Sequence, residues 1–240
     1  MTGSPGAYDW TAEQKEHPSN DGIFKVSTIT GEKPLLVSFA QLAASLRPTH
    51  PDVDSKERFI NHTLWSRNDS RIYFFVRGDF EVSGKRLDVP FVMNSDGSQL
   101  QMLSRHIGGH PEWESGHILI GRRDKDQIRF DTERQEIIGL IGTPEIFPDP
   151  NGDVALSPNG ELFINGYNKS GKNYYSILRR SDEIWTRRVG LNKGGFHTEG
   201  LRIEPSPCWN RDSNQILTVA VDEHKTRQLH VISILPGSAD

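Results

Sequence analysis

The residues that could do chemistry stand at one recurring place in this sequence. Three residues before a Trp or Leu that closes a short strand-like run, the chain carries Ala7, His62, His110, Asp153 and Ser206, and Glu204 lies two residues ahead of the last. If those runs converge, two imidazoles and two carboxylates meet in one small volume, where they could transfer protons or grip a cation. They are scattered along the chain and have no local ligand spacing, so the chemistry depends on the fold that gathers them. The plainer reading of each is a buried polar group bonded to a neighbouring strand. His106, His117, His197, His224 and His230 lack the recurring position and read as surface or structural residues.

What must gather them is a repeat. The segments 61–74, 109–120, 152–163 and 205–217 each hold a short strand ending in Trp or Leu, a turn rich in Asn, Asp, Gly or Ser, and an apolar strand. This is the turn chemistry of β-hairpins. The anchors Trp65, Trp113, Leu156 and Trp209 are 48, 43 and 53 residues apart, and Tyr8-Asp9-Trp10 reads as a degenerate copy 55 residues before Trp65. Such periods suit the four-stranded blades of a β-propeller. Each unit continues into a second hairpin, as at 24–32, 91–98, 128–133 and 230–234. The expectation is an all-β propeller of about four to five blades over residues 1–240, in a single domain, with the innermost strands carrying the candidate residues. Residues 59–190 hold three complete units, while the first and last are short of strands. Either a small ring closes with strands from both termini, or the chain is part of a larger ring. One helix is expected at 38–46, capped by Ser38 and stopped by Pro48, followed by a loop over 47–58.

Composition narrows the function. The chain has 240 residues, a net charge of -4 and a single cysteine. The acidic balance argues against nucleic acid as a partner. No run approaches the about 18 apolar residues of a membrane span, and the start has neither a basic nor an apolar leader, so a cytoplasmic protein is expected. Cys208, alone and beside Trp209, reads as a small buried hydrophobe. The pairs Arg122-Arg123, Arg179-Arg180 and Arg187-Arg188 could grip carboxylates but read first as solvated strand faces.

Taken together, Phe59-Ile60-Asn61-His62-x-x-Trp65, Gly109-His110-Pro111-Glu112-Trp113, Leu156-Ser157-Pro158-Asn159-Gly160 and Arg227-Gln228-Leu229-His230-Val231 resemble the oligogalacturonate lyase family, and more loosely TolB-type propeller repeats. The resemblance runs from about Asp21 to Ile234. Members of that family are seven-bladed rings that cut unsaturated oligogalacturonides by β-elimination, with a manganese ion held by three His and one Gln. The resemblance implies the later part of such a ring, with His110 at the position of the proposed catalytic base; if the chain is such an enzyme, His62 is expected to orient substrate. At the metal positions this chain has Asp153, Leu201, Glu204 and Ser206, so Asp153 and Glu204 become the expected ligands of an altered site for a hard ion such as Mn²⁺ or Ca²⁺. The expected ligand is a uronate-containing oligosaccharide. The alternative is a non-catalytic propeller that holds a carbohydrate or protein partner on its funnel face.

Overall fold

The structure is a computed structural model, which describes residues 17–78, 86–196 and 202–234. Ala7, the copy at Tyr8-Asp9-Trp10, His197 and Leu201 lie outside the described residues. The chain is mostly β and divides into two compact units, one of residues Met1–His106 with Ser115–His117, the other of Ile107–Glu114 with Ile118–Asp240.

The first unit opens with a small antiparallel pair, β1 (Gly22–Phe24) and β2 (Leu35–Ser38), and passes directly into helix α1 (Phe39–Leu46). The helix starts where expected because Ser38 closes a capping box. Its hydroxyl accepts the Gln41 N–H at 3.2 Å, and Gln41 Oε1 accepts the Ser38 N–H at 2.8 Å. Phe39, Leu42, Ala43 and Leu46, spaced for one helical face, are all buried. The loop expected to follow is tightened by a 3₁₀ turn at Val53–Ser55 and held by the buried Arg58, whose guanidinium donates to the Val53 and Lys56 carbonyls. Then comes an antiparallel four-stranded sheet in chain order, β3 (Arg58–Trp65), β4 (Arg71–Gly78), β5 (Leu87–Asn94) and β6 (Gln101–Met102). Ile72, Phe74 and Val76 of β4, with Val89, Phe91 and Met93 of β5, pack with Phe39, Leu42 and Leu46 in one apolar cluster. Alternation along each strand produces that face.

The second unit contains one sheet of eight strands, ordered β10-β9-β8-β7-β11-β12-β13-β14. These are β7 (Gly108–Trp113), β8 (Ile118–Arg123), β9 (Asp126–Asp131), β10 (Glu136–Leu140), β11 (Asp153–Leu156), β12 (Leu162–Lys169), β13 (Lys172–Arg179) and β14 (Trp185–Asn192). Every neighbouring pair is antiparallel except β7 and β11, which run parallel and share a single residue pair, His110 with Asp153. Four strands lie on each side of that junction. A three-stranded sheet follows, made of β15 (Cys208–Trp209), β16 (Gln215–Val221) and β17 (Arg227–Ser233). Both faces of β12 are covered, Phe163 joining a cluster with Ile120, Phe147 and Leu178, and Ile164 a second one with Tyr175, Ile177 and Ile216.

The repeat seen in the sequence recurs as identical turn chemistry. Ser66 Oγ accepts the Arg71 N–H at 2.9 Å and donates to Asn68 Oδ1 at 2.9 Å; Ser157 Oγ accepts the Leu162 N–H at 2.9 Å and donates to Asn159 Oδ1 at 2.7 Å. The anchors themselves diverge: Trp113 is fully buried, whereas Trp65 is 44% exposed. Cys208 is exposed, against expectation. It pairs with Leu217, itself exposed, on the outer face of the last sheet, while Trp209 and Ile216 take the inner one.

Candidate functional site

The parallel junction is where the predicted residues come together. Pairing His110 with Asp153 sets their Cα atoms side by side, and their side chains meet with His110 Nδ1 2.7 Å from Asp153 Oδ1. The imidazole is 55% exposed and the carboxylate 11%. The other carboxylate oxygen is held from behind, since Oδ2 accepts the Ser206 N–H at 2.8 Å and the Ser206 hydroxyl at 3.1 Å. Burial by itself pushes the Asp153 carboxyl up, but the His110 contact and the Ser206 donors outweigh it and hold the group below its ordinary value. Asp153 is therefore the charged acceptor of an Nδ1–H bond, and the tautomer with Nδ1 protonated makes Nε2 the basic nitrogen.

Ser206 reaches Asp153 only by taking a left-handed backbone, φ 33°, that a non-glycine residue adopts at a cost. Its neighbour fixes it there. The Pro205 carbonyl accepts the Tyr175 hydroxyl at 3.0 Å and the Thr218 hydroxyl at 2.6 Å, and those two hydroxyls lie 2.5 Å apart. Burial pushes the Tyr175 phenol up to about 12, so it stays a neutral donor. The segment can lie this close because position 166 is glycine: a Cβ there would stand 2.6 Å from Pro205 Cβ. The strands thus supply an exposed base, a buried carboxylate to orient it and a strained serine to orient the carboxylate. Such an arrangement can take a proton from a bound molecule.

The other predicted residues are placed differently. Glu204 is in the same unit, its carboxylate ion-paired with Arg202. His62 belongs to the first unit, on β3, where φ is 53° and its ring meets Phe75 edge-on at 5.9 Å between centroids. Neither Asp153 nor Glu204 fits the expected role of cation ligand. Both Asp153 oxygens already accept protein hydrogen bonds, and Glu204 carries a guanidinium that would repel a metal ion. The arginine pairs are largely engaged. Arg180 and Arg129 both grip Glu114, Arg179 pairs with Asp182, and Arg187 stacks over Trp185. Tyr175 and Thr218 were not visible as parts of the site; the one local signal was the proline on each side of Ser206, which forecasts a constrained backbone.

No family model matches the chain, and no curated protein matches it. Solved structures do. An oligogalacturonate lyase in complex with manganese is 17% identical at a TM-score of 0.59, covering 90% of this chain and 54% of its own. The oligogalacturonate lyase of Vibrio parahaemolyticus is 16% identical at a TM-score of 0.58, covering 90% and 55%. TolB from Acinetobacter baumannii is 11% identical at a TM-score of 0.49, covering 74% and 42%. This chain thus spans about half the length of the two lyases, and its fold is that of a lyase-like propeller.

Proposed function

We propose that this chain acts on uronate-containing oligosaccharides by β-elimination, as an oligogalacturonate lyase-like propeller whose sheets serve as blades. The observation that carries the reading is the 2.7 Å contact between His110 Nδ1 and Asp153 Oδ1, with Asp153 anchored in turn by Ser206. His110 Nε2 takes the proton from the carbon α to the uronate carboxylate. The pair left behind forms the carbon–carbon double bond, the bond from the β carbon to the glycosidic oxygen breaks, and that oxygen leaves with the electrons and is protonated. Asp153 stabilises the imidazolium that forms.

A second reading, a non-catalytic propeller that binds a carbohydrate or protein partner, is favoured by the protein donors that occupy Asp153 and Glu204. One experiment separates the two. Purified protein is incubated with unsaturated digalacturonate, with Mn²⁺ and again in EDTA, and monosaccharide release is followed beside the His110→Ala variant. Release that disappears in the variant supports elimination. No release under either condition, or undiminished release after His110→Ala, overturns it.

A further inference from the structure

Elimination next to a carboxylate needs a cation to take up the charge that develops there, and Asp153 and Glu204 do not fit a metal ion. The second unit has a different cation in place. Lys193, directly after β14, is 6% exposed, and its ammonium donates to Asn168 Oδ1, a neutral amide. Buried charges ordinarily face an opposite charge, because leaving water is costly for them. Among the described residues Lys193 has no ion pair, whereas Arg202 pairs with Glu204, Arg180 with Glu114 and Arg179 with Asp182. Beside it is a second unmet group. Asn173 is the cross-strand partner of Asn168 and is fully buried; its polar neighbour is the Tyr175 phenol, and among the described residues neither its Oδ1 nor its Nδ2 has a partner at hydrogen-bond distance.

The register places this group close to the dyad. Asp153 pairs with Gly166, Gly166 with Tyr175, and Asn168 with Asn173, so the two asparagines sit two strand residues beyond the level of Asp153, about 7 Å by strand rise. Alternation puts Asn168 and Asn173 on the same face of the β12–β13 hairpin as Gly166 and Tyr175. That face looks at the Pro205–Ser206 segment, as the Tyr175 hydroxyl on the Pro205 carbonyl shows. The Lys193 backbone N–H, bonded to the Gly171 carbonyl at 3.2 Å, ties the lysine to the hairpin tip.

We infer that Lys193 and Asn173 form the binding site for the substrate carboxylate, with Asn168 orienting the ammonium. The inference rests on the elimination reading and deepens it: lysine supplies the positive charge for which a metal would otherwise be needed. One uronate carboxylate would give the buried ammonium its counter-charge and the Asn173 N–H its acceptor. A neutral ester would leave the ammonium unpaired, so the site discriminates acid from ester.

The test is binding, independent of turnover. The full chain carrying His110→Ala, which keeps the sugar intact, is titrated calorimetrically in EDTA with digalacturonate and with its methyl ester. The acid should bind at least tenfold tighter, the preference should vanish in Lys193→Met, and Lys193→Arg should restore most of it. A preference that survives Lys193→Met overturns the assignment. Should Lys193→Met fail to fold, the ¹⁵Nζ resonance of Lys193 in the His110→Ala chain is followed instead. It should move on adding digalacturonate and stay put with the ester, and an unmoved resonance overturns the assignment equally. Acid-selective, lysine-dependent binding without sugar release by the unsubstituted chain would retire elimination and leave the carboxylate site standing; release with lysine-independent binding would do the reverse.

Discussion

Asp153→Asn changes one atom and sets two demands against each other. In the native site Oδ2 accepts two hydrogen bonds from Ser206 while Oδ1 accepts one from His110. An asparagine has one acceptor oxygen and one donor nitrogen. Turned so that its oxygen faces Ser206, it keeps two bonds; turned the other way, it sets an NH₂ against two donors and forfeits both. At about 1 kcal/mol per neutral hydrogen bond the difference is about 2 kcal/mol, roughly 30 to 1 in favour of the first orientation. The NH₂ then faces His110 Nδ1, which must accept, and the proton moves to Nε2. The nitrogen proposed to take the substrate proton is thereby occupied. ¹⁵N spectra of the imidazole above neutral pH should show the native chain with Nδ1 protonated and the variant with Nε2 protonated. Sugar release should fall by at least the same factor of about 30. An imidazole in the variant that still carries its proton on Nδ1 would refute the argument, whatever the turnover.

Further outcomes follow from neighbouring groups. Tyr175→Phe removes the phenol that braces the Pro205 carbonyl and Thr218, and urea denaturation should show a loss of about 1–2 kcal/mol. Gly166→Ala places a methyl 2.6 Å from Pro205 Cβ and 3.2 Å from Tyr175 Cε1; the overpacking should cost about 1–3 kcal/mol and displace Ser206, read as a weaker shift of the Asp153 carboxyl in ¹³C titration. In the first unit, burial pushes Asp88 up, but hydrogen bonds from His106 and Arg77 outweigh it and bring its carboxyl to about 2. A depressed carboxyl stabilises the fold above its unfolded value and loses that contribution as pH falls toward 2. The stability gap between the native chain and Asp88→Asn should thus be about 2 kcal/mol at pH 6 and shrink steadily below pH 4, as acid titration of unfolding will show. A gap that widens in acid would contradict the assignment.

What the sequence disclosed was local. The Ser-x-Asn turns at 66–68 and 157–159 and the box at Ser38 and Gln41 are written in adjacent residues, so the hairpins and α1 could be read from them. His110 and Asp153 share a repeat position, and the repeat alone brought them to one level. The contacts that give them a role are different in kind. Whether Asp153 faces an ion or an imidazole depends on a parallel pairing between strands 43 residues apart and on the bend at Ser206, and neither leaves a periodic trace. Cys208 fails for a related reason. Its neighbours predict an apolar strand, but which side of β15 is covered is decided by the sheet packed against Trp209. Lys193 carries no pattern at all; only its burial marks it.

The junction between β7 and β11 has a mechanical side. Eight strands are continuous, yet at their midpoint the backbone ladder narrows to one rung, and the side chains of that rung are His110 and Asp153. Elsewhere in the sheet a lost side-chain contact is backed by several flanking amide bonds; here the imidazole–carboxylate bridge stands beside the Arg180–Glu114 ion pair and the packing of Ile120 on Phe163 as a side-chain fastening across the seam. Proton uptake at His110 would strengthen that bridge as well as charge the ring, and amide hydrogen exchange along β7 and β11 should slow when the imidazole is protonated.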